Sequence, residues 1–376
     1  MNSMFRAAAA LALTGATLPA LAASATATRA FDFKPESNAG LTVRNLIGDI
    51  RVVRGDTPGI RITATATVET ESQAEAERLV KLVDYRSSDV GAGSRFDVRI
   101  PDEDFPVLYS EDGSKHWFST SRVEYLGERI RLVADRDDAP ALRVDLLISA
   151  PAGAKVEVKH HFGDASAERF SGTLRLDGGA GRLTSTGGEG QLELDSGSGA
   201  VTVNGHRGSV AADTGSGSVK ITDCECEIVA DTGSGSVQVT NGRGRIAADT
   251  GSGDVRVEGF AGSLEADTGS GSVVARGVSE VTSLLMDTGS GGVDIDGDLS
   301  AMTRLGIDTG SGSVTLRSSA QPSMEIHIDT GSGGVDVDVP GASMRQVDDV
   351  TIVKMKDGGA RGVIDTGSGS VRISFR

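Results

Sequence analysis

The sequence predicts an all-β fold: a repeat β-solenoid (β-helix-like) of short strands, with an N-terminal β-rich cap region containing one helix. Three observations carry this. An apolar residue returns every nine positions from Leu174 through Leu183, Leu192, Val201, Val210 and Val219 to Val273. The heptad Asp-Thr-Gly-Ser-Gly-Ser-Val recurs letter for letter at 213–219, 231–237, 267–273, 308–314 and 365–371. The composition combines 51 glycines and 38% hydrophobic residues with only 4% aromatics, which suits a thin core with many tight corners. A fixed period of this kind marks a stacked-repeat architecture.

The elements follow in chain order. Met1 to Arg6 with one Arg, an apolar run Ala7 to Leu18, and the small-x-small site Ala20-Leu21-Ala22 predict a signal peptide over residues 1–23. No Cys stands directly after that site, and no later stretch reaches the roughly 20 apolar residues of a membrane span. The expected localisation is therefore exported: periplasmic, cell-surface or extracellular. Residues 31–158 read as an N-terminal β-rich region. In it, residues 45–52 resemble a rung and Gly59 to Val68 alternates at period 2. Ser72 as N-cap with Glu75 three residues on predicts a capping box and a helix over 72–83 covering the open end of the coil. Strands are expected at 96–100, 130–133 and 142–149. An aromatic insertion, 101–127, gathers Phe105, Tyr109, Trp117, Phe118 and Tyr125. Aromatic anchors on loops carry recognition energy, so Tyr109, Trp117, Phe118 and Tyr125 are the candidate ligand-loop residues.

Residues 159–376 read as a β-solenoid of about ten rungs, stacked in parallel at roughly 4.8 Å each. Its structural corners are Asp195, Asp213, Asp231, Asp249, Asp267, Asp287, Asp308, Asp329 and Asp365. The first five are evenly spaced; the next three steps are longer. The Asp half of each rung keeps its length while the opposite half grows. Over the same range the residue before the Asp enlarges from Ala to Met286, Ile307 and Ile328. The coil should widen toward its C-terminal end, keeping its interior density constant. By parity, Thr214 faces inward and Asp213 outward. The flanking glycines should supply positive φ at the corner, the Asp should cap amides one to three residues on, and the Thr column should hydrogen-bond along the stack.

Asp-Thr-Gly-Ser is also an aspartic protease signature. That chemistry needs two loops opposed so that two carboxylates share one proton. Nine copies in single file do not give that geometry, and no catalytic or cofactor-binding residue is expected. The nine-residue beat suggests calcium as the one ion to consider, Gly251-Ser252-Gly253-Asp254 coming closest. One acid per rung, however, is far from the six to eight oxygens of a Ca²⁺ cage. No cofactor and no metal ligand are therefore expected, Ca²⁺ being the one alternative kept. Cys224 and Cys226, the only two cysteines, replace glycines at the elastic corner, and export makes a local disulfide between them the expected state. No His lies near them in sequence. His160-His161 should point to opposite strand faces.

A net charge of −16 argues against a nucleic-acid partner. The expected partner is an unidentified component of the cell envelope or surface.

Gly48-Asp49-Ile50-Arg51-Val52, the segment 74–79, Val144-Asp145-Leu146-Leu147-Ile148-Ser149-Ala150-Pro151-Ala152-Gly153-Ala154 and the serial Gly-Ser-Gly-x-Val repeats resemble a bacterial putative adhesin family with β-strand repeats, a domain of unknown function. The resemblance covers most of the chain and implies its architecture, not an activity. Family copies usually read Gly-Asp-Val after the corner; this chain does so among its Asp-Thr-Gly-Ser corners only at Asp254. The expected function is that of an exported structural, adhesin-like β-solenoid of the bacterial cell envelope, not an enzyme. The alternatives are a periplasmic ligand-binding or sensing module using the 101–127 loop, and a polysaccharide-active β-helix enzyme.

Overall fold

In the computed structural model, residues 23–33, 40–90, 93–100, 107–109, 120–133 and 140–376 are described. Alternation in the sequence becomes alternation in burial. In Val201–Asn204 and Val219–Thr232 the inward Val201, Val203, Val219 and Ile221 are fully buried while Lys220 is exposed. No isolated pair of four-residue strands would survive in water. Here each of these two strands gains a neighbour on both edges instead. Val210, Ile228, Ile246 and Leu264 stack in parallel register, each on the one before. Leu284 and Leu305 then extend the column at the longer spacing.

The widening is visible in what fills the interior. Met286, Ile307 and Ile328 are buried where Ala212, Ala230, Ala248 and Ala266 sit below. The lengthened half-rungs contribute Val278, Val281, Leu299 and Met302 to the core, none more than 2% exposed.

The rungs do not stack in simple sequence order. Asp287 pairs with Asp308, Asp308 with Asp365, and Asp365 with Asp329. The last rung, Ala360–Thr366 with Val371–Phe375, is inserted between two earlier ones. It takes Arg304–Thr309 and Val314–Ser318 on one side, Met324–Asp329 and Val335–Asp338 on the other. The intervening hairpin of Ser343–Val347 and Val350–Met355 pairs antiparallel to Met324–Asp329 and closes one sheet at this end.

The N-terminal end has a matching insertion. Leu41–Ile47 and Ile50–Arg54 form the rung expected at 45–52 and pair in parallel with Ala154–Phe162 and Ala165–Glu168. On their other side lie Gly93–Arg99 and Ala141–Ala150. Ala141–Ala150 then pairs antiparallel with Ile60–Thr70, which pairs with Ala23–Phe33.

Among the described residues the single helix is Gln73–Leu79, shorter than 72–83. Its buried Ala76 and Leu79 lie on the face toward Ala23–Phe33 and Ile60–Thr70. The capping box does not form. The Ser72 side chain makes no cap bond, and Glu75 instead accepts from Arg78 Nη2 at 2.9 Å. An ion pair within one turn competes with the longer reach back to the cap.

The expected signal peptide lies outside the described residues except for Ala23, which opens the first strand.

Candidate functional site

The Asp-Thr-Gly-Ser-Gly corner is closed by its threonine. Thr214 Oγ1 donates to the carbonyl of Gly199, one rung below, at 2.9 Å and accepts the Gly217 N–H at 3.1 Å. Thr232, Thr250 and Thr268 repeat both bonds. In the wider rungs Thr309 and Thr366 donate within their own corners, to Gly312 and Gly369, each at 2.6 Å. The expected bonds within a Thr column give way to Thr–backbone bridges, because the inward hydroxyl is the group nearest the unsatisfied amide. His160 and Asn45 head the same column. His160 Nε2 lies 2.7 Å from the Gly48 carbonyl, and Asn45 Nδ2 donates to the Val144 carbonyl at 2.8 Å. His160 thus occupies a corner-bridging position, and burial holds its pKa below the usual imidazole value.

The aspartates do not cap as expected. Asp329 accepts the Gly331 N–H at 3.2 Å. Among the described residues, Asp195, Asp213, Asp231, Asp249, Asp267, Asp287, Asp308 and Asp365 take no such bond; beside Asp213, Asp231, Asp249 and Asp267 the Thr already accepts the corner amide. Their carboxylates form an outward file at rung spacing. Burial, and then the charge of neighbouring rungs, raises the pKa of Asp213, Asp231, Asp267 and Asp365. A raised folded-state carboxylate pKa gives stability that is full below the ordinary carboxylate range and is lost as pH rises through the raised value. At neutral pH the file therefore opposes folding. Asp231→Asn should stabilise the protein at pH 7 by up to about 1 kcal/mol, with the gain shrinking as pH falls through the carboxylate range. Urea midpoints of both proteins at pH 7 and pH 4 measure this; an equal gain at both would remove the repulsion.

The corner glycines also act differently from expectation. Gly199, Gly217, Gly235, Gly253 and Gly271 are not in the left-handed region. A Cβ built on each would lie 1.6–2.0 Å from the carbonyl oxygen of the glycine one rung below. They are required for close approach of stacked backbones. In these rungs positive φ belongs instead to the opposite corner, at Arg169, Gly187, Gly205, Asp223, Asn241, Gly259 and Gly277; among the Asp-Thr-Gly-Ser corners it occurs at Gly331.

The residue after the second glycine forms its own ladder. Ser218 Oγ accepts the Ser236 N–H at 3.4 Å, Ser236 Oγ the Asp254 N–H at 3.2 Å, and Asp254 Oδ1 the Ser272 N–H at 2.9 Å. Asp49 and Asp164 do the same for Asp164 and Arg182. Ser can stand in for Asp there because one acceptor oxygen is enough for the amide of the next rung. One Asp254 oxygen is already committed to an amide. Among the described residues, no three His, Cys, Asp or Glu side chains group to hold a metal ion.

Cys224 and Cys226 are bonded to each other, their Cα atoms 5.4 Å apart, and both are buried. His206 stands one rung below Cys224 in the same inward column, its Nε2 3.0 Å from the Gly190 carbonyl. Sequence distance hid this neighbour, although the repeat period marks it.

Of the aromatic insertion, Phe105, Trp117 and Phe118 lie outside the described residues. Tyr109 ends the strand Val107–Tyr109. Tyr125 stands on a strand and not on a loop. It ends the strand Thr120–Tyr125, is 5% exposed, donates its hydroxyl to the Val98 carbonyl at 2.7 Å, and meets His161 edge-on. At the foot of the insertion an open cleft of about 550 Å³ is lined by Arg44, Arg86, Asp97, Arg99, Glu124, Leu126 and Gly127. Arg44 holds both Asp97 oxygens at 2.7 Å, and Arg99 pairs with Glu128. The cleft presents planar guanidinium and carboxylate groups fixed by each other, suited to contact with a polar ligand.

The family model described as Toastrack DUF4097 matches residues 143–374. A solved structure of a "putative cell adhesion protein" from Clostridium sporogenes ATCC 15579 aligns over 94% of this chain and 100% of that one, at 10% identity and a TM-score of 0.24. That overlay is too loose to bear on fold or function. No curated protein matches.

Proposed function

This chain belongs to the Toastrack DUF4097 family, and from that premise we propose that it is an exported structural, adhesin-like β-solenoid of the bacterial cell envelope, working by contact and not by catalysis. The observation that carries the reading is the use of the repeated polar groups. The corner threonines and the Ser/Asp ladder close backbone, and the corner aspartates stand in single file on the outside. Acid–base chemistry on acids needs partners whose environments differ; Asp213, Asp231 and Asp267 stand in the same outward, exposed surroundings, the pKa of each raised by burial and by the next rung's charge. Among the described residues no helix is long and apolar enough to cross a membrane. The test is co-sedimentation of the exported protein with separated envelope fractions, with and without calcium. It should pellet with one fraction; recovery in the supernatant from all of them would overturn the proposal. Export itself is checked by the intact mass of protein from the periplasm or medium, which should begin at Ala23 or Ser24.

One observation favours a second reading, a periplasmic ligand-binding or sensing module. The 550 Å³ cleft opens at the foot of the segment that carries Trp117 and Phe118. Under it, the pair Trp117→Ala and Phe118→Ala would cut binding at least about tenfold, as loss of aromatic anchors does. Under the first reading, envelope binding would persist. Tyr125 must be left in place, since it is core.

A further inference from the structure

We propose that the Cys224–Cys226 disulfide is a redox-sensitive lock on one corner of the coil, holding a β-carbon in a column built for glycine. In neighbouring rungs that column is Gly172, Gly190, Gly208, Gly244 and Gly262, at φ between 109° and 144°. A Cβ on Gly190, Gly208, Gly244 or Gly262 would lie 1.9–2.4 Å from the carbonyl oxygen one rung below. Cys226 stands in register between Gly208 and Gly244 yet is not in the left-handed region. Its backbone therefore takes this corner by another path while keeping both neighbours.

The bond to Cys224 supplies what glycine supplies elsewhere. In an extended strand, residues i and i+2 are about 6.7 Å apart; these two Cα atoms are 5.4 Å apart. The covalent link keeps the strand drawn in and the Cys226 side chain inside. Cys224 also fills its own column. There the His206 ring reaches over Gly188 and the Phe260 ring over Gly242, 2.8 and 3.2 Å from where their β-carbons would be. The cystine occupies the layer between these two rings. Asp223, just before it, is the left-handed residue of this corner and accepts from Asn241 Nδ2 at 3.1 Å.

A dithiol reductant opens the lock by exchange. Its two thiols give two electrons and two protons to the S–S bond, leaving Cys224 and Cys226 as thiols and the reductant as a cyclic disulfide. Cys226 then keeps a β-carbon with nothing tethering it inward. Because a solenoid transmits mainly to adjacent rungs, the loosening should be local.

Amide hydrogen exchange on the full chain, with and without dithiothreitol, reads the effect. Reduction should speed exchange by about tenfold or more at residues 224–227 and at 242–245 in the rung above, and leave 183–194 unchanged. Two single variants separate the lock from simple filling. Cys226→Gly restores the column's residue and should stay protected with or without reductant. Cys226→Ser keeps a β-carbon untethered and should exchange as fast as the reduced chain. Unchanged exchange on complete reduction, confirmed by thiol count, would overturn the proposal. So would Cys226→Ser proving as protected as Cys226→Gly.

Discussion

Gly235→Ala should cost at least about 4 kcal/mol, the range reserved for changes that a native structure cannot absorb. The added β-carbon would lie 1.8 Å from the Gly217 oxygen, 2.5 Å from its carbon and 2.9 Å from Ser218 N. All three are backbone atoms of the rung below, fixed in the ladder on both sides, so no rotamer change makes room. Gly235 is not left-handed, so conformation alone does not forbid Ala. Without the steric term the substitution would stabilise by about 0.4–1 kcal/mol through the unfolded chain. The sign of the effect therefore separates close approach from turn geometry. Gly334→Ala is the control: nothing lies within 4 Å of its would-be Cβ and its φ is unexceptional. Urea unfolding should show Gly334→Ala unchanged or slightly more stable, and Gly235→Ala unfolded or nearly so. Equal stability of the two would mean that rungs separate easily at this corner.

That result would also locate what the sequence discloses and what it conceals. Periodicity disclosed the coil, the parallel stacking, the inward Thr and outward Asp, and the widening, because each depends on burial parity that apolar residues record directly. It did not disclose why the corner reads Gly-Ser-Gly. Glycine serves both positive φ and close approach, and a single sequence does not separate them; only the carbonyl from the rung below does. The same holds for Asp and Thr. Both can cap a corner, and the choice depends on which side chain points at the amide, a matter of inward or outward face. Asp254 shows the converse: it looked like the remnant of a cation site and accepts an amide.

The candidate site was less legible than the fold. The aromatic insertion stood out by composition, but Tyr125 belongs to the core that the insertion leaves and re-enters. The cleft at its foot draws Arg44, Arg86, Arg99 and Glu124 from separate strands. No local motif signals such a set. His206 beside Cys224 was in principle readable, since the two are separated by one full repeat.

Rung order was hidden for a related reason, and it yields the second large effect. The step from Asp308 to Asp329 is as long in sequence as the step from Asp287 to Asp308, yet the first crosses two rung spacings and the second one. The 308–314 and 365–371 heptads are identical, so either could follow the other. What the inserted rung contributes is core. Ile364, Val371 and Ile373 are fully buried and Phe375 is 1% exposed. At about 1.5–3 kcal/mol per buried side chain, removing residues 360–376 withdraws roughly 6–12 kcal/mol as an upper estimate. That compares with a whole stability of about 5–15 kcal/mol for a typical domain. It also strips each neighbouring rung of its strand partners on that side. The truncated chain should lose protection from residue 319 onward, so that limited proteolysis trims it back toward Ser318 while the rungs from 154 to 318 persist. Phe375→Ala should weaken the same end by about 3–5 kcal/mol without removing it. If the truncated chain instead resisted trimming through residue 355, the Asp329 rung would have dropped onto the Asp308 rung. The insertion would then be one of two stackings the sequence accepts, rather than what holds the end closed.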